Sequence, residues 1–104
     1  MDTFEILSQL CSAAGVSGAE GSAAEAAAKL LEKYGEVTLD NALGSVICKV
    51  GSWEDGKPVM LLDAHIDEIG MIVTYITEDG FLNISGCGGL DTRLLFCLLY
   101  TSPS

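Results

Sequence analysis

The chain has 104 residues, 49% hydrophobic and 19% charged, which suits one small folded domain and excludes an intrinsically disordered chain. Fifteen acidic residues against five basic ones leave a net charge of −10, which repels phosphate backbones and argues against a nucleic-acid partner. The acids run from Asp2 to Asp91 without forming a tail, a pattern that fits an acidic surface or a site that attracts cations.

Residues 3–13 carry apolar side chains at Phe4, Ile6, Leu7, Leu10 and Cys11, a spacing that predicts a helix. Two glycines in Gly15-Val16-Ser17-Gly18 interrupt it. Ser22 followed by Glu25 has capping-box spacing, so a second helix is expected to start there, run through the alanine-rich stretch to about Tyr34 and stop at Gly35. This helix reads as a surface or packing helix. Strands are expected after Glu36: a short one at Val37-Thr38-Leu39, a turn at Asp40-Asn41, then a strand over 44–50. Pro58 opens a third strand, Val59-Met60-Leu61-Leu62, whose unbroken apolar character predicts burial on both faces. Residues 69–76 and 81–84 form a predicted hairpin around Glu78-Asp79-Gly80. Two helices followed by strands define an α/β chain with mixed strands.

No apolar run reaches the about 20 residues that span a bilayer, and Met1-Asp2-Thr3-Phe4-Glu5 lacks the basic start of a secretory leader. Cys11, Cys48, Cys87 and Cys97 show no Cys-x-x-Cys spacing. They are expected to be reduced, mostly buried thiols of a cytoplasmic protein with no membrane partner. Residues 96–104 form an apolar run and a short polar end, and are expected to be a non-native tail.

The chemistry concentrates at Asp63-Ala64-His65-Ile66-Asp67-Glu68, where the only histidine follows the third predicted strand. Neutral imidazole is a common metal ligand, and a carboxylate on its other nitrogen fixes the tautomer. In an extended segment His65 and Asp67 point to one side, so Asp67 can orient the ring, while Glu68 falls on the other. From the residues alone, a packed histidine and a metal ligand both remain open. A catalytic zinc needs three protein ligands, and no second histidine is present. Nucleophilic alternatives are weaker. Ser17 lies outside a Gly-x-Ser-x-Gly elbow and between helices, and the apolar surroundings of Cys11 and Cys48 disfavour a thiolate.

Ala64-His65-Ile66-Asp67-Glu68-Ile69-Gly70 resembles the first metal-binding motif of the TET-type dinuclear metal aminopeptidases, also known as glutamyl or deblocking aminopeptidases, endoglucanase M or cellulase M. Gly15-Val16-Ser17-Gly18-Ala19-Glu20 is similar to that family's signature near the N-terminus. Asp40-Asn41-Ala42-Leu43-Gly44-Ser45-Val46 is similar to its D-x-x-G-N strand entry, with Ser45 where asparagine is usual. Gly80-Phe81-Leu82 resembles its hairpin, and Gly88-Gly89-Leu90-Asp91-Thr92-Arg93 resembles its G-G-W-D-x-R segment, with Leu90 in place of tryptophan. The similarity runs over about residues 3–95 and then departs from the family's G-Q-R-V-like strand.

The resemblance implies the N-terminal part of an α/β/α zinc-exopeptidase domain over residues 1–70, with the start of an inserted small β-domain over 71–95. It implies two divalent metal ions, zinc or cobalt, peptide substrates and a large homo-oligomer. By position His65 would be a metal ligand and Asp67 the catalytic-site acid that orients it. The family's bridging aspartate, glutamate base and other ligands have no counterpart, so the 104-residue chain is expected to be a truncated, inactive fragment. A non-catalytic α/β module and a piece of another dinuclear exopeptidase family are the alternatives. The cellulase name finds no support, since no pair of carboxylates is set across a sugar cleft.

Overall fold

The computed structural model describes residues 2–95; residues 96–104, the expected non-native tail, lie outside the described residues. The chain divides into two units, one ending at Asp67 and the other beginning at Glu68.

In the first unit, helix α1 (Thr3–Ser12) starts from a reciprocal cap. The Glu5 backbone N–H donates to Asp2 Oδ1 at 2.8 Å, and the Asp2 N–H donates to Glu5 Oε2 at 3.2 Å. Helix α2 (Gly21–Leu31) begins one residue before Ser22, and its N-cap Glu20 makes no side-chain capping bond. The capping box expected at Ser22 is therefore found at Asp2 instead. A carboxylate accepts the N3 amide as well as a serine hydroxyl does, and Glu5 stands three residues on.

The alanine run of α2 supplies the core. Ala23, Ala24, Ala28 and Leu30 are the buried apolar residues among those described. Small side chains let α2 lie close to strands β1 (Glu36–Leu39) and β2 (Val46–Lys49), which pair antiparallel with Glu36 opposite Lys49 and Leu39 opposite Val46. Asp40 builds their connection. Its carboxylate accepts the Ala42 and Leu43 amides, its N–H donates to Ser45 O, and Gly44 takes a left-handed φ of 73°.

Gly35 acts differently from the sequence expectation. Helix α2 already ends at Leu31, and Gly35 instead lets β2 approach: a Cβ there would stand 2.8 Å from Lys49 C and 3.2 Å from Cys48 Sγ, and closer still to Lys49 O.

Val59–Leu62 is the largest departure. These residues form no strand, and all four side chains are exposed. A strand buried on both faces needs paired neighbours on its edges and layers above and below. Among the described residues no strand pairs with this segment, so the apolar run is left uncovered. The thiols differ too. Cys11 is exposed because α1 buries no residue, Cys48 and Cys87 are half-buried, and Cys97 lies outside the described residues.

In the second unit, β3 (Gly70–Ile76) and β4 (Leu82–Cys87) form the expected hairpin, antiparallel with Gly70 opposite Cys87. The register shifts between Val73 and Tyr75, where Thr74 Oγ1 donates to Asn83 O at 3.1 Å. Thr77 closes the turn. Its N–H donates to Phe81 O, its hydroxyl accepts the Phe81 N–H, and Gly80 takes the left-handed position. A short 3-10 turn (Thr92–Leu94) follows, capped by Asp91, which is also held by the Arg93 guanidinium at 2.9 and 2.7 Å. Every strand pairing among the described residues is antiparallel.

Candidate functional site

His65 lies in a segment without regular secondary structure, two residues before Asp67. His65 Nδ1 lies 3.0 Å from Asp67 Oδ1 and 3.1 Å from the Asp67 carbonyl oxygen. Both neighbours are acceptors once the carboxylate is ionised, so Nδ1 must carry the proton and donate. Nε2 is then the nitrogen with the free lone pair, on a side chain that is 86% exposed. An imidazole held in this way can ligate a metal or accept a proton at Nε2. The structure brings into contact the two residues that the i, i+2 spacing placed on one side.

The second carboxylate oxygen has a partner that the sequence reading passed over. Ser17 Oγ donates to Asp67 Oδ2 at 2.5 Å, across fifty residues of chain. Ser17 stands in a tight turn in which the Ala19 N–H donates to Val16 O at 2.8 Å and Gly18 has a φ of 89°, the glycine position of a type II turn. Buried Gly15 brings this turn against the histidine segment: a Cβ there would lie 3.0 Å from Ala23 Cβ and 3.5 Å from Ile66 O. The missed signal was Gly15-Val16-Ser17-Gly18 itself. Its two glycines break the helix and mark a turn, but they do not name the partner that the Ser17 hydroxyl meets.

The Ser17 hydroxyl and then the His65 imidazole hold the Asp67 carboxyl below the usual carboxylate range, against a small opposing effect of desolvation. Both contacts favour the ionised carboxylate. Asp63 is exposed and forms no cluster with this pair. Among the described residues no group of three histidine, cysteine or carboxylate side chains is placed to hold a metal ion. The donor set present fits one ligand position of a divalent ion, an imidazole backed by a carboxylate, and not a whole coordination sphere.

Residues 44–97, more than half the chain, match the family model described as M42 glutamyl aminopeptidase. The chain belongs to the M42 peptidase family. It is 38% identical over 91 residues to a protein of Acetivibrio thermocellus provisionally named an aminopeptidase, covering 86% of this chain and 26% of that protein. It is also 38% identical over 87 residues to the provisionally named aminopeptidase FrvX of Escherichia coli K12, covering 83% and 23%. Lysyl aminopeptidase of Pyrococcus furiosus is 28% identical over 91 residues, 86% of this chain and 25% of that protein. The chain thus spans about a quarter of the length of the curated relatives it matches. Among the described residues no helix is long and apolar enough to cross a membrane.

Proposed function

We propose that the chain is part of a metal-dependent aminopeptidase that removes N-terminal residues from peptides. The observation that carries this is the His65–Asp67 pair in a chain of the M42 family: an exposed imidazole with Nδ1 engaged by a carboxylate and Nε2 left as a donor atom. His65 is the metal ligand, and Asp67 sets its tautomer and ring orientation. Two divalent ions, when bound, supply Lewis acidity and a water of lowered pKa. Zinc and cobalt both suit an imidazole donor. Asp67, with its carboxyl held ionised, keeps the proton on His65 Nδ1 and so keeps Nε2 available.

The names of the relatives support a peptide substrate, and glutamyl or deblocking specificity belongs to the same proposal. Assembly into a large homo-oligomer and a cytoplasmic location rest on the resemblance between this chain's motifs and the TET-type enzymes. With no group of three ligands among the described residues, the 104-residue chain alone is expected to be inactive.

The test compares the 104-residue chain with the product of the gene's full reading frame, each assayed on a peptide amide with added zinc or cobalt. Turnover is expected from the longer protein only, and it should disappear in its H65A variant together with bound metal while the fold persists. Loss of fold in H65A without loss of metal would favour a non-catalytic module in which the histidine is structural. Turnover by the short chain would refute its inactivity.

A further inference from the structure

Asp67 is held at both carboxylate oxygens, and the two holds differ in kind. Oδ1 meets an imidazole two residues away, on the same segment; Oδ2 meets a hydroxyl held in the turn before α2. Rotation about the bond to an aspartate carboxylate is broad and roughly twofold, so His65 alone does not fix it. The His65 ring is 86% exposed, and packing does not fix it either. What anchors the pair to the folded unit is Ser17. Its position follows from the Val16–Ala19 turn and from the close approach of Gly15 to Ile66.

We propose that Ser17 is a positioning residue: by donating to Asp67 Oδ2 it fixes Oδ1 against His65 Nδ1 and so presents Nε2 to the metal ion. The role rests on the ligand function proposed above for His65. It is not a nucleophile's role. The Ser17 proton goes to a carboxylate, which is too weak a base to activate it, rather than to an imidazole.

His65 is the chain's only histidine, so imidazole nitrogen NMR of the 104-residue chain reports this ring alone. In its neutral form the wild-type imidazole is expected to carry its proton mainly on Nδ1, which faces two acceptor oxygens. S17A should lower the ratio of the Nδ1–H to the Nε2–H form by about threefold to tenfold, the worth of one net hydrogen bond, and weaken Zn2+ binding by a similar factor. S17T, which restores a hydroxyl, should recover both. If S17A loses the fold, S17C serves instead: it keeps a heavy atom in place, donates weakly, and should give the same fall. A ratio unchanged from wild type in the folded S17A or S17C variant overturns the proposal. Zn2+ binding undiminished in H65A overturns the ligand reading on which it rests, and the metal-free tautomer ratio tells the two failures apart.

Discussion

Gly35→Ala tests how tightly α2, β1 and β2 are fitted. The added Cβ would lie 2.8 Å from Lys49 C and 3.2 Å from Cys48 Sγ, with Lys49 O nearer than either. Carbon atoms prefer about 3.5 Å or more, so the β2 backbone must retreat by about 0.7 Å at least. Backbone cannot rotate away as a side-chain tip can. Glu36 and Lys49 are the terminal pair of a ladder only four pairs long, and a retreat at Lys49 opens that pair. Overpacking of this sort costs about 1–3 kcal/mol, and a lost ladder hydrogen bond adds about 1 kcal/mol. The expected destabilisation is about 2–4 kcal/mol, or a fall in Tm of roughly 10–25 °C for a domain of this size. Thermal unfolding followed by circular dichroism measures it, with Gly21→Ala as the control. Gly21 lies in the first turn of α2 with open space where its Cβ would go, so that change should stabilise by about 0.5 kcal/mol. If the two variants melt within about 2 °C of each other, a spread smaller than one kcal/mol would produce, the close approach is not what the glycine serves.

Three further outcomes are expected. In the longer protein Asp67→Asn should weaken metal binding by about 10–100-fold, because an amide offers one acceptor where Ser17 and His65 need two; isothermal titration with Zn2+ checks it, and unchanged affinity would remove Asp67 from the site. Arg93 lowers the Asp91 carboxyl below its ordinary value of 3.8 through its side chain first and its backbone second. A depressed folded pKa contributes stability above pH 3.8 that is lost as the pH falls through the folded value, so Asp91→Asn should flatten the acid limb of the stability curve, and Arg93→Ala should move the Asp91 titration back up toward 3.8 by carboxyl NMR. Alkylation of the folded chain should modify exposed Cys11 faster than half-buried Cys48; equal rates would place α1 elsewhere.

The legible parts of the fold were those decided by neighbours in sequence. The i, i+3/i+4 spacing in 3–13 gave α1 to within a residue, and Asp40-Asn41 and Glu78-Asp79-Gly80 marked turns whose hydrogen bonds are local. The His65–Asp67 pair was equally local, two positions apart in the chain. Ser17 was not legible, because its partner is fifty residues away and no periodicity encodes a side chain meeting across a fold. Val59–Leu62 failed for the converse reason. Its composition records an environment of covered faces, and composition alone cannot say which residues do the covering. At Gly35 the sequence named the residue but not its purpose, since a helix stop and a close backbone approach both demand glycine.

The histidine-bearing segment has a thermodynamic consequence. No strand pairs with residues 59–67 among those described, so the order of this arm comes from a turn and a few side-chain hydrogen bonds. An ion captured by His65 would do part of the arm's folding as it binds. Intrinsic affinity would then be spent on ordering, and measured affinity would rise with anything that stiffens residues 59–67 beforehand, a covering chain included. Metal occupancy and the rigidity of this arm should therefore rise and fall together.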